Sequence, residues 1–138
     1  CGQTNGNFLT AFYGIYHSRT KILKYARGAH NYPILIRKNQ LTALSSQGKI
    51  LGIEQNLNFE EKEIQLQSKD RLLFYTDGLT ESTNPQGIEF EEKLYELLKE
   101  RNDLDVHKLM NKIYLELIQH REEYKFDDDI CMILMEIE

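Results

Sequence analysis

The chain has little cysteine, no excess of positive charge and no long apolar run, and each shortage removes a class of protein. Its 138 residues hold two cysteines, Cys1 and Cys131, at opposite ends, and neither has a second cysteine or a histidine at zinc-site spacing. That usage points to a reducing, cytoplasmic setting rather than a disulfide framework, with Cys131, inside an apolar run, expected as a small core residue. Seventeen basic residues stand against 22 acidic ones, for a net charge of −5. The basic residues are scattered, which argues against nucleic acid as a partner and makes cations the more natural ligands. No apolar stretch approaches the roughly 20 residues needed to cross a bilayer, so this segment is not expected to insert into a membrane. No Walker-type glycine loop and no G-x-S-x-G elbow occurs. The four histidines, His17, His30, His107 and His120, are too dispersed to suggest a catalytic pair; His107 and His120 are expected on solvated helix faces, and His30 could meet the sheet rim discussed below.

What is present is a set of short strands and two amphipathic helices. Residues 8–16, "FLTAFYGIY", and 21–27, "KILKYAR", are rich in aromatic and aliphatic residues, and the four residues of "HSRT" join them. So short a connection suits a hairpin and excludes a parallel crossover. Strands are expected at 34–38 and 41–44, a loop over 45–58, and a half-wet strand over 63–67, where Ile64 and Leu66 alternate with polar residues. "SKDR" reads as a tight turn into a buried strand at 71–76, making a second hairpin. Phe90, Leu94, Leu97 and Leu98 then take helical spacing, and a second helix begins near Asp103 or Asp105, with Val106, Leu109, Met110, Ile113 and Leu117 on one face. Both helices should cover one face of a sheet. The unbroken apolar run from Ile130 to Met135 reads as a last strand covered on both faces. With no internal repeat or linker, the economical reading is one α+β unit.

The acids supply the chemistry. The strand before Asp77 ends in a carboxylate and a glycine, and the last strand is preceded by Asp127, Asp128 and Asp129. If the two strands are antiparallel neighbours, these acids converge at one rim. Alternation along an extended chain allows only a subset of the triplet to join Asp77. Hard divalent cations accept oxygen ligands and retain water, so two such carboxylates make a reasonable half-site, with Gly78 allowing close backbone approach. Taken singly, Asp-Gly is an ordinary turn and an acidic triplet an ordinary solvated entry to a strand. It is their joint placement at the ends of two core strands that favours a metal.

In this order and at these separations, "FLTAFYGIY…KYARGAHNYPILIR", "DRLLFYTDGLTESTNPQGIEF" and "DDDICMIL" resemble the SpoIIE-type branch of the metal-dependent serine/threonine protein phosphatases (PPM, protein phosphatase type 2C-like). The resemblance covers nearly the whole chain. It implies an α+β fold, a layered antiparallel β-sandwich flanked by helices, here truncated at the N-terminus, with two Mn²⁺ or Mg²⁺ ions in the intact domain. Carried over by motif, Asp77 and Asp128 would bind metal, Asp129 would take the neighbouring non-ligand place, and Gly78 and Glu81 would shape the loop. No side chain is assigned as the catalytic group, since a metal-activated water would attack the phosphate. The family often has threonine where Cys131 stands and glycine where Lys69 stands.

The resemblance also implies acidic ligands on strands upstream of the "FYG" hairpin, yet residues 1–7 contain no acid and the chain opens on Cys1. The expectation is therefore that residues 1–138 are the C-terminal portion of a single phosphatase domain, with about a third of an ordinary domain lying elsewhere. Such a piece would offer at most one partial metal site and be inactive alone. Its unpaired sheet edges would invite homodimerisation. The implied substrate is a phosphorylated regulatory protein of the anti-sigma-factor antagonist type. Two alternatives stand beside this: a non-catalytic interaction module derived from the same fold, and a receiver-like α/β domain, which the hairpins argue against.

Overall fold

A computed structural model describes residues 7–54, 56–101, 103–122, 126 and 128–138. The described elements are β1 (Ala11–His17), β2 (Ile22–Gly28), β3 (Ile34–Arg37), β4 (Gln40–Ala43), β5 (Lys62–Gln65), β6 (Arg71–Tyr75), α1 (Asp77–Thr80), α2 (Glu91–Glu100), α3 (Val106–Arg121) and β7 (Met132–Glu136). They fall into two units, Cys1–Tyr32 with Leu44–Gln67, and Pro33–Ala43 with Ser68–Glu138. Each unit holds one antiparallel sheet.

The first unit has strand order β1-β2-β5. The expected first hairpin is present, with Ala11 opposite Gly28 and His17 opposite Ile22. Its turn closes through the Lys21 amide donating to the His17 carbonyl at 2.8 Å. Leu23, Tyr25, Leu44 and Leu66 are buried, and the Phe12 and Tyr25 rings stack with centroids 5.5 Å apart. In the 45–58 loop a Cβ on Gly48 would fall 1.7 Å from the Arg27 carbonyl oxygen, so only glycine lets that loop close on β2.

The second unit has order β4-β3-β6-β7. Its register places Ile34 opposite Leu73, Ile36 opposite Arg71, Leu73 opposite Leu134 and Tyr75 opposite Met132. Period-2 alternation therefore gathers Ile34, Ile36, Leu73 and Tyr75 on one face. There they join Leu79, Phe90, Leu94, Leu97 and Leu98 and, from α3, Leu109, Ile113 and Leu117 in one buried core. Both helices thus cover one sheet face, as their spacing requires. Asp105 is the cap of α3, its side chain accepting the Lys108 amide at 2.9 Å. Lys93 of α2 reaches Glu116 of α3 at 2.8 Å and ties the two helices together, while Lys112, one turn earlier on α3, takes the same carboxylate at 2.6 Å.

Two expectations about strands are corrected. Residues 63–67 and 71–76 do not form a hairpin, because β5 pairs with β2 whereas β6 lies between β3 and β7. The expected turn is present at Ser68 and Lys69, with Lys69 at φ 70°, but it leads from the first unit into the second instead of closing a hairpin. Asp70, 2% exposed, takes two hydrogen bonds from the Arg37 guanidinium at 2.9 and 2.6 Å, and its carbonyl accepts the Ile137 amide. The apolar last strand, in turn, is an edge and is not covered on both faces. Met132–Glu136 pairs on one side with β6, and Ile133 is 58% exposed. An uninterrupted apolar run cannot by itself distinguish a central strand from an edge.

Candidate functional site

β6 leaves the sheet at Thr76 and turns at once into the single helical turn α1, whose first residue is Asp77. β7 begins opposite, with Tyr75 paired to Met132 and the Thr76 amide donating to the Cys131 carbonyl at 3.1 Å. The Asp77 loop and the Asp128–Asp129 segment therefore emerge at the same end of the same strand pair. The fit is close: a Cβ on Gly78 would lie 2.7 Å from the Asp129 carbonyl oxygen. The approach that this glycine permits is thus to the backbone of the second acidic segment.

Asp77, Asp128 and Asp129 are all exposed. One oxygen of Asp77 accepts the Gly78 amide at 3.1 Å, and one of Asp128 accepts the Asp129 amide at 2.7 Å. Glu81, also exposed, closes α1 through its own amide on the Asp77 carbonyl, while the Thr80 hydroxyl donates to that same carbonyl. The Ser82 hydroxyl donates to the Gly78 carbonyl at 2.6 Å. Tyr75 is buried just inside the corner, and burial, followed by the nearby Tyr95 hydroxyl, pushes its phenol above the usual range. An open groove of about 570 Å³ runs beside the acids, lined by Tyr114, Leu117, Phe126, Ile130 and Met132.

The donors present suit a hard divalent ion in kind, being exposed carboxylates on two strand ends. In number they fall short. Among the described residues no three His, Cys, Asp or Glu side chains come together to hold an ion. Asp127 lies outside the described residues.

Cys131 is exposed, not a core residue, because it precedes the first paired residue of an edge strand. His30 contacts the Thr10 hydroxyl through Nδ1 at 3.0 Å, within the first unit. His107 is exposed, but His120 is half-buried and its Nε2 donates to the Ile88 carbonyl at 2.8 Å. Sequence reasoning passed over Thr76. Its hydroxyl donates to the Asp129 carbonyl at 3.1 Å and accepts the Cys131 amide at 3.0 Å. The available signal was a hydroxyl residue between a buried strand and Asp-Gly.

Comparison with solved structures places the fold. The SiaA-PP2C domain of Pseudomonas aeruginosa superposes with a TM-score of 0.85 at 14% identity, covering 96% of this chain and 53% of that one. The phosphatase domain of the cell fate determinant SpoIIE from Bacillus subtilis gives 0.69 at 16% identity, covering 100% and 60%. The two sheets and their helices are thus those of a PP2C-type phosphatase domain. Among curated proteins, phosphoserine phosphatase RsbU of Bacillus subtilis (strain 168) is 24% identical over 130 residues, or 93% of this chain and 38% of that protein. The model of the Stage II sporulation protein E (SpoIIE) family matches residues 2–138, and the chain belongs to that family. It spans under two-fifths of RsbU and between half and two-thirds of those two solved chains.

Proposed function

We propose that residues 1–138 are the C-terminal portion of a single SpoIIE-type phosphatase domain, and that the whole domain is a metal-dependent serine/threonine phosphoprotein phosphatase of bacterial signalling. The observation that carries this reading is the meeting of the Thr76–Asp77–Gly78 loop with the Asp128–Asp129 segment at one end of β6 and β7, in a chain of the SpoIIE family. Two relatives add support. RsbU is named a phosphoserine phosphatase, and the SpoIIE domain compared above was presoaked with Mn.

In this reading Asp77 and Asp128 hold Mn²⁺ or Mg²⁺, and Asp129 stays beside them as a non-ligand. Bound metal would activate a water and offset phosphate charge. Gly78 and Glu81 keep the Asp77 loop seated against the second segment, and the two carboxylates arrive already oriented by their own backbone hydrogen bonds. The substrate is a phosphorylated regulatory protein of the anti-sigma-factor antagonist type, met in the cytoplasm. With two ligands from this chain, the 138 residues alone are at most a partial site and hydrolyse little. β1 and β7, each the last strand of its sheet among the described residues, are where copies of such a piece would pair.

The test is Mn²⁺-dependent hydrolysis of p-nitrophenyl phosphate by this chain and by the full-length protein that contains it. Activity confined to the full-length protein, and lowered more than about a hundredfold by Asp77→Ala, is expected, since even residues behind a metal ligand cost 10–100-fold. The incomplete donor set keeps one other reading in view, a non-catalytic module on the same fold. Inactivity of both proteins with Mn²⁺ or Mg²⁺ would favour it.

A further inference from the structure

Thr76 occupies the N-cap position of α1 with extended backbone angles, φ −91° and ψ 159°, yet its side chain makes no capping hydrogen bond. A threonine at that position ordinarily turns its hydroxyl onto an amide of the first helical turn. Here the oxygen is used across the strand pair.

The reason lies in the change from strand to helix. At the 76–131 rung the Thr76 amide reaches the Cys131 carbonyl as in any antiparallel ladder. The return bond would come from the Cys131 amide to the Thr76 carbonyl. That carbonyl has already turned away to accept the Leu79 amide at 3.1 Å, opening α1. The hydroxyl takes its place. It accepts the Cys131 amide at 3.0 Å and donates its own hydrogen bond to the Asp129 carbonyl at 3.1 Å, lengthening the ladder while the main chain leaves it. The same Asp129 carbonyl meets Gly78 on its other side, where no Cβ would fit. Beyond it, the Asp129 amide holds the Asp128 carboxylate at 2.7 Å. An unbroken path of hydrogen bonds and backbone therefore runs from the residue before Asp77 to the side chain of Asp128.

We propose that Thr76 is a positioning residue: its hydroxyl fixes the Asp128–Asp129 segment against the Asp77 loop and so sets the spacing of the two carboxylates. The role rests on the metal reading given above, and it makes the hydroxyl, not the size of the side chain, the functional feature. Serine can replace threonine; valine, of nearly the same shape, cannot.

The experiment uses the ¹⁵N-labelled 138-residue chain and its variants Thr76→Val, Thr76→Ser and Asp77→Asn, titrated with MnCl₂ while paramagnetic broadening of backbone amides is followed. Exchange of the Cys131 amide is measured on the unmodified chain. The expected result is broadening centred on residues 77–79 and 128–130, lost in Asp77→Asn. In Thr76→Val the Mn²⁺ concentration for half-broadening should rise roughly tenfold, and in Thr76→Ser it should return to within about twofold. The Cys131 amide should exchange slowly despite its exposed residue. Valine behaving like threonine, while Asp77→Asn loses the effect, would overturn the role of Thr76 and leave the metal reading standing. Broadening that ignores Asp77→Asn would overturn both. Should Thr76→Val fail to fold, a fast-exchanging Cys131 amide in the unmodified chain refutes the proposal by itself.

Discussion

The two ends of the β6–β7 pair both carry acids, and they treat them in opposite ways. At the end where β6 begins, Asp70 is buried under the Arg37 guanidinium, and Glu136 takes Arg71 at 2.8 Å and Lys69 at 3.2 Å. At the other end Asp77, Asp128 and Asp129 are exposed, and among the described residues none of them forms an ion pair. Acids matched by arginine have their charge answered within the fold. The exposed acids at the other end have no such partner among the described residues, and their charge is left to solvent or to a ligand. On the function proposed above, the contrast separates structural from functional carboxylates on a single pair of strands.

The sharpest way to break that comparison is to remove one acid from each end. Asp70→Ala removes the buried acceptor of two hydrogen bonds from the half-buried Arg37 guanidinium, and should cost about 2 kcal/mol in urea unfolding. Asp77→Ala removes an exposed carboxylate that pairs with no base, so stability should stay within about 0.5 kcal/mol. If Asp77→Ala destabilises as much as Asp70→Ala, the acids at the two ends do the same job and the distinction fails.

Acid should erode the contacts of the paired carboxylates. The hydrogen bond from Arg71, then that from Lys69, holds the Glu136 carboxyl below its usual range, and Lys112, then Lys93, does the same for Glu116. A carboxyl depressed in the folded state binds fewer protons there than in the unfolded chain. Its contribution is therefore complete above the unfolded value and disappears as pH falls through the folded one. The urea midpoint should hold steady from pH 7 to about 5 and then drop toward pH 3. Glu136→Gln should lower the midpoint at pH 7 and flatten the drop. An unchanged slope in that variant would mean the Arg71 contact is not formed in solution.

Much of this was legible in the sequence wherever a local pattern decided the outcome. The β1–β2 hairpin follows from two aromatic-rich runs and a short polar turn, α3 from its cap at Asp105 and its apolar spacing, and the buried β6 from Leu72 to Tyr75. The partner of β5 was not legible, because its alternation is satisfied equally by β2 or β6 and the choice depends on residues far away in the chain. Nor was the edge position of β7, since apolar runs look alike at edges and centres. At the corner, the acids announced themselves by type and position. Thr76 did not, because its role arises from a carbonyl lost at a strand-to-helix change, and only coordinates reveal that loss.

The smallest expected effect concerns the residue where the reading by pattern failed. As a core residue, Cys131 would resist modification while the chain is folded, and replacing it with a polar group would cost on the order of 1–3 kcal/mol. As an exposed residue at the mouth of an edge strand, it contributes little beyond its backbone, whose amide and carbonyl both bond to Thr76. In a Cys1→Ser background its thiol should react with Ellman's reagent in the folded chain at a rate close to that in urea. Cys131→Ser should shift stability by no more than about 0.5 kcal/mol. Because serine leaves both backbone bonds in place, Mn²⁺ broadening at residues 77–79 should be unchanged as well. A protected thiol would instead place the start of β7 under cover, and the acids beside it would then be less open to a cation than their exposure indicates.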